Sequence, residues 1–207
     1  MSISFHRLIP LIITLLLSAC SLFPETRPVN VYMLPESTPV QTQSSSVDWS
    51  LRINTPYANQ TLDSTRIAVI PDGNQINSYK SARWNDRVPV LLRERLIDTF
   101  RSDGRIKTIT NDNGLINTDA ELISELRAFQ SEYIHGKPEV RVQLDTHLVQ
   151  RNNQQVLASY RFEARQASKD ASVASVVQAF GQATDQLSRE VVAWAINVRK
   201  YNGDKHD

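Results

Sequence analysis

The chain has 207 residues, 41% of them hydrophobic and 22% charged, with 23 Lys and Arg against 22 Asp and Glu and a formal net charge of +1. So even a balance excludes the basic footprint of a nucleic-acid-binding protein, and the length suits one domain with a sizeable core. A single cysteine excludes an internal disulfide framework, so stability must come from packing.

At the start, His6 and Arg7 precede the apolar run Leu8 to Leu17, followed by Leu17-Ser18-Ala19-Cys20. A positive start, an apolar core of about ten residues and small residues before the cut define a secretory signal. The closing cysteine marks a bacterial lipoprotein signal, because its thiol takes a diacylglycerol thioether. The run is shorter than the ~20 apolar residues that span a bilayer, and Pro24, Glu25 and Arg27 follow it closely. Residues 1–19 are therefore expected to be removed, and Cys20 to become an acylated N-terminus. The competing reading is a chance cysteine after a plain signal peptide. Loss of Arg7 takes the 23 basic residues to 22, equal to the acidic count. Several acyl chains on one residue make membrane attachment stable. Residues 20–30 read as a tether, 31–200 as one domain and 201–207 as a flexible tail.

Asn30-Val31-Tyr32-Met33-Leu34 is a β-prone run closed by Pro35, and Glu36 to Asp48, rich in Ser, Thr and Gln, reads as a loop. Trp49 to Ile53 and Ser64 to Ile70 alternate with period two and predict two strands. Pro71-Asp72-Gly73-Asn74 is a turn, and Gln75 to Arg83 an extended segment leading to Trp84. Val88, Leu92, Leu96 and Phe100 then fall on one face of an amphipathic helix. Asn85 or Asp86 is the expected cap, Pro89 suits the first turn and Gly104 the end. Arg105 to Thr110 reads as a strand before the turn Asn111-Asp112-Asn113-Gly114.

Asp119 to Ile134 is ambiguous, since Leu122, Leu126, Phe129 and Tyr133 share a helical face and period two fits less well. Val140 to Leu148 and Val156 to Ala164 alternate clearly and predict an antiparallel strand pair joined at Arg151-Asn152-Asn153-Gln154. Ser172 to about Lys200 carries the strongest helical stripe, from Val173 through Phe180 and Leu187 to Val198, with Asp170 as its capping candidate. The expected architecture is α+β, a mainly antiparallel sheet with two amphipathic helices packed on one face.

Catalytic constellations are missing from the sequence. His6 leaves with the signal and His206 sits in the tail, which leaves His135 and His147 without metal-ligand spacing. No nucleophile elbow, phosphate-binding glycine loop or dinucleotide motif occurs, so no catalytic residue, metal or cofactor is expected. Glu121, Glu125 and Glu132 near His135 read as the wet face of an amphipathic element, and Arg93, Glu94, Arg95 and Asp98 as a solvated helix face. The three tryptophans read as core or edge anchors. Trp84, among Arg83, Asn85, Asp86 and Arg87, is also kept as a contact candidate.

The order Pro56-Tyr57-Ala58, Leu62 to Ile67, Asn77-Ser78-Tyr79, Ser81-Ala82-Arg83-Trp84-Asn85-Asp86 and Pro89-Val90-Leu91-Leu92 resembles the auxiliary lipoprotein family of ABC transporters. That family includes Pqi-type outer-membrane lipoproteins accompanying MCE proteins in lipid transport. Val31 to Pro35 resembles the family's first strand, and Phe129 with Tyr133 its central strand, so the resemblance resolves 119–134 as a strand against the helical periodicity. Ser78-Tyr79 stands where the family often has paired tyrosines.

The resemblance implies a non-enzymatic subunit whose partners are an MCE-family periplasmic protein and its ABC transporter subunits. It docks that assembly at the outer membrane for intermembrane lipid transport and envelope integrity. Ser21, rather than Asp, after Cys20 resembles the enteric sorting rule for passage to the outer membrane, which gives a lipid-anchored position on its periplasmic face. A homo-oligomer matching a symmetric MCE partner is an arrangement that closed symmetry favours. The docking face is expected to include Asp72, Asn74, Arg83 and Trp84. The alternatives are an adaptor lipoprotein of a cell-wall synthase or outer-membrane assembly machine, and a periplasmic enzyme.

Overall fold

A computed structural model describes residues 28–37 and 46–203. In chain order the elements are β1 (Asn30–Tyr32), β2 (Val47–Ile53), β3 (Tyr57–Ala58), β4 (Arg66–Ile70), β5 (Asn77–Trp84), α1 (Val88–Asp103), β6 (Ile106–Asn111), β7 (Ala120–Ile134), β8 (Lys137–Gln150), β9 (Gln155–Ala167) and α2 (Val173–Gly203). All nine strands join one sheet. Helix α2 continues past the expected boundary at residue 200.

The spine is β7, which pairs antiparallel with β8 along nearly its whole length, and β8 pairs antiparallel with β9. The turn between β7 and β8 is His135-Gly136, with φ of 51° and 76°, the left-handed pair a two-residue hairpin requires. The other edge of β7 is filled in parallel by three short pieces in succession: Leu51 opposite Ala120, Tyr57 opposite Glu125 and Ala68 opposite Gln130. Strands β1 and β6 are also parallel to their neighbours, β5 and β2. The sheet is therefore mixed, which corrects the mainly antiparallel expectation. Hairpins announce themselves by local turn chemistry, whereas parallel pairs form across long connections that alternation cannot report. Here α1 bridges β5 to β6, and residues 112–119 carry the chain from β6 to β7 past β2.

Residues 119–134 are mostly strand, as the family resemblance implied. A β-bulge between Leu126 and Ala128 breaks strict alternation and explains why period two fitted poorly: Leu122 and Leu126 face the core, and past the bulge so does Phe129, giving a false helical spacing.

Both helices contribute to one core with the sheet, α1 beside β2 and β6 and α2 beside β8 and β9. At its centre the Phe129 and Phe180 rings stack with centroids 4.7 Å apart, and Trp84 meets both edge-on at 6.0 and 5.3 Å. The α2 stripe buries Val176, Phe180, Leu187 and Val191 completely. Two caps differ from expectation. Neither Asn85 nor Asp86 caps α1; Asp86 accepts from the Arg87 amide before the helix, and the Val88 amide donates to the Ser64 carbonyl at 3.1 Å. At α2 the Ser172 hydroxyl accepts from the Ser175 amide at 3.2 Å, while Asp170 holds the Ser172 amide at 2.9 Å. Pro89 and Gly104, φ 76°, occupy the predicted start and stop of α1.

Arg93 and Arg95 are buried, at 8% and 6% exposure, where a solvated helix face was expected. Arg93 donates to Thr55 and Asp112, both at 2.7 Å, and to Glu94. Arg95 pairs with Asp185 of α2 and donates to the Pro35 carbonyl. Buried guanidiniums persist only when their donors are satisfied, and here they tie α1 to four other segments.

After β1, the chain crosses α2 at Gly181, where a Cβ would come within 3.0 Å of Pro35. Gly181→Leu is expected to lift Pro35 from α2 and weaken the β1 pairing. The Asn85 amide, which donates to the Tyr32 carbonyl at 2.9 Å, should then lose hydrogen-exchange protection about tenfold. Unchanged exchange would show that β1 is held independently of this crossing.

Candidate functional site

The sheet has one face under the helices and one open face. Residues opposite each other across paired strands share a face, so the open face can be mapped from the register. On β7 to β9 it carries a lattice of charge. Asp145 accepts from Arg161 at 2.8 Å, and Arg141 donates to Glu163 at 3.0 Å. Arg165 donates to Glu163, Glu139 and Glu132 at 2.8, 3.1 and 3.2 Å. Arg127 pairs with Glu125. The Arg161 hydrogen bond holds the Asp145 carboxyl below its ordinary range, and the Arg165 hydrogen bond does the same for Glu163.

Both carboxylates thus have lowered pKa values in the folded state. Their stabilisation is fully present above the unfolded values of about 4 and is lost as pH falls through the lower folded values. Urea midpoints should therefore decline as pH drops below about 4, and Arg161→Gln should flatten that decline. A midpoint indifferent to pH in this range would show that the lattice contributes nothing.

The predicted site residues separate. Cys20 lies outside the described residues. Asp72 and Asn74 are exposed in the turn between β4 and β5, where Gly73 has φ 52°. Arg83 lies at the far end of the same hairpin, paired with Arg66. Trp84 is 1% exposed, because successive strand residues point to opposite faces. The structure thus corrects its place in the docking face: its ring belongs to the core.

His135 forms a hairpin turn, and His147 Nδ1 lies 2.6 Å from Ser159 Oγ on the open face. Glu121, Glu125 and Glu132 are spread along β7; Glu132 is engaged by arginines and Glu121 lies 3.4 Å from the Asn54 amide. No coupled acid and base emerge from this arrangement. Among the described residues no group of three or more His, Cys, Asp or Glu is placed to hold a metal ion, and no helix is long and apolar enough to cross a membrane.

Open clefts are lined by the described residues at two places on the surface. One, of about 440 Å³, is lined by Thr61, Ser64, Arg66, Ile76, Asn77 and Ser78, among others. The other, of about 390 Å³, lies between Asn117 to Asp119 and Gln150 to Asn152. In the latter, Asp119 accepts from the Ser50 amide and hydroxyl at 2.8 and 2.6 Å, an internal fastening of β2 to β7. Arg66 was missed from the sequence; its only signal is a cross-strand partner, which no local pattern reveals.

The described residues thus form a two-layer α+β domain with a ribbon of charge on the open face of its sheet. The chain belongs to the ABC-type transport auxiliary lipoprotein component family, whose model matches residues 32–192. Among solved structures, the Xanthomonas campestris protein XCC0632, described under the family model DUF330, is 25% identical. It superposes with a TM-score of 0.79 over 85% of this chain and 99% of its own. A second crystal structure, of an uncharacterized protein 14% identical, shares the fold at a TM-score of 0.61 over 81% of this chain and 98% of its own. An uncharacterized protein of Bradyrhizobium diazoefficiens is 26% identical over 147 residues, 71% of this chain; the match spans 39% of that relative's length.

Proposed function

We propose that this protein is a lipid-anchored, non-catalytic subunit that docks an ABC-type transporter and its MCE-family periplasmic partner at the outer membrane, for lipid transport across the envelope. The observation that supports this most is the conjunction of a transport-auxiliary lipoprotein domain over residues 32–192 with a signal ending in Cys20 a short distance before it. A lipid crossing the aqueous periplasm must keep its acyl chains from water, at about 0.8 kcal/mol per methylene, so a protein conduit must be fastened at its receiving membrane. Cys20 is the anchor in this reading, 20–30 the tether and the domain the dock.

The remaining docking candidates, Asp72, Asn74 and Arg83, lie at opposite ends of the β4–β5 hairpin. In this reading the turn carrying Asp72 and Asn74 contacts the transport assembly, while Arg83, beside β1, lies on the side of the anchor. The anchoring is tested by growing cells with labelled palmitate and separating inner from outer membranes on a density gradient. The expected result is labelled protein in the outer-membrane fraction, with label and membrane association both lost in Cys20→Ala. Unlabelled protein in the soluble fraction would overturn the reading.

A further inference from the structure

The open sheet face changes character from one end to the other. On β7 to β9 each of Arg127, Arg141, Arg161 and Arg165 faces a carboxylate. On the β4–β5 hairpin, Arg66 and Arg83 stand directly opposite each other in antiparallel register, where like charges repel. Neither guanidinium has a carboxylate partner among the described residues. The register that creates the pair depends on a bulge in β5: Ala68 pairs with Ser78 but Arg66 with Arg83, and within that excursion Ser81 takes φ 55°. Holding a non-glycine residue there costs about 1 kcal/mol, and the bulge that contains it also sets the two cations side by side.

Beside them lies β1, the edge strand. Its Val31 is opposite Arg83, so it shares the open face, while Tyr32 and Leu34 turn into the core. Val29, Val31 and Met33 are 52%, 51% and 71% exposed, an alternating apolar row along an edge that pairs on one side only. Arg66 also lines the 440 Å³ cleft, whose other walls include Thr61, Ser64, Asn77 and Ser78, a set of hydroxyl and amide groups suited to a phosphate or glycerol headgroup. An apolar row, two cations lacking an anion and a polar cleft thus meet at one end of one face.

The position of this end decides what covers it. Ten residues beyond Cys20 reach Asn30, and a fully extended chain of that length spans at most about 35 Å. Strand β1 therefore cannot leave the neighbourhood of the membrane that holds the acyl chains. We propose that the β1–β5–β4 end of the open face seats the domain on the phosphate-bearing surface of that membrane. Val29, Val31 and Met33 enter the interfacial layer, and Arg66 and Arg83 engage lipid phosphates. The proposal rests on the reading of Cys20 as the anchor. It gives the domain a fixed orientation, with the β8–β9 turn and the remaining face turned toward the periplasm.

The test uses the full lipidated protein in vesicles of phosphatidylethanolamine and phosphatidylglycerol. Because Cys20 is the only cysteine and in the anchor reading its sulfur is blocked as the diacylglycerol thioether, a nitroxide can be placed at Val31→Cys, at Met33→Cys or, as a control in the β8–β9 turn, at Asn153→Cys. The expected result is that labels at 31 and 33 relax preferentially with oxygen, and the label at 153 with a water-soluble nickel complex. Arg66→Gln with Arg83→Gln should weaken the seating about thirtyfold, at about 1 kcal/mol per arginine near an anionic surface. Labels at 31 and 33 as open to nickel as that at 153 would overturn the proposal, as would labels shielded from both reagents by a second copy or a partner strand. Uptake of nitroxide by Cys20 itself would overturn the anchor reading, and this proposal with it.

Discussion

Trp84→Ala is expected to lower the stability of the domain by about 4 kcal/mol, in the range of large-to-small changes at fully buried aromatic positions. The indole is 1% exposed and joins three elements, since its neighbours are Phe129 of β7 and Phe180 of α2. Removing it leaves a cavity between layers that the stacked phenylalanines cannot fill without leaving their rotamers. Trp84 Nε1 has no hydrogen-bond partner among the described residues, and an unmet buried donor carries its own cost. Trp84→Phe should therefore cost much less, about 1 to 2 kcal/mol. Arg83→Ala, one residue away on the open face, should fall within about 0.5 kcal/mol of the parent. Urea midpoints at constant m-value check all three. Equal effects at 83 and 84 would contradict the assignment of opposite faces.

Asp185→Ala is expected to cost about 3 kcal/mol. The Arg95 side chain is 6% exposed and that of Asp185 15%, and removing the carboxylate strands a buried guanidinium with the Pro35 carbonyl as its remaining acceptor. Breaking one side of such a pair is far more damaging than replacing both. The double variant Arg95→Met with Asp185→Leu should therefore recover most of the loss. A double-mutant cycle in urea measures the coupling, and a single variant as stable as the parent would show that water already reaches the pair. Arg95 itself holds the segment after β1 through the Pro35 carbonyl, so Asp185→Ala should loosen the two helices while Pro35 keeps its donor.

Much of the fold was legible because it is written in local chemistry. The Arg151 to Gln154 turn, the alternation of β8 and β9, the Pro89 and Gly104 limits of α1 and the α2 stripe all follow from short-range preferences. What escaped depends on distant residues. The parallel pairing of β2, β3 and β4 along β7 is set by crossovers, and a bulge after Leu126 disguised the longest strand as a helix. Arg93 and Arg95 looked like solvated charges because their partners, Asp112 and Asp185, lie well downstream in the chain. The same limit applied to the docking face. The residue types around Trp84 suggested a surface site, but only the pleat decides that Arg83 faces out while Trp84 faces in, and only the register sets Arg66 against Arg83. Cys20, in contrast, is a motif read directly from sequence.

The central claim is that this domain serves a transporter, and it is tested most directly by affinity purification of the lipidated protein from gently solubilised envelopes, followed by mass spectrometry of the copurifying proteins and lipids. The account predicts an MCE-family protein together with its ABC transporter subunits. Cell-wall synthases or outer-membrane assembly proteins, recovered without any transporter component, would contradict it.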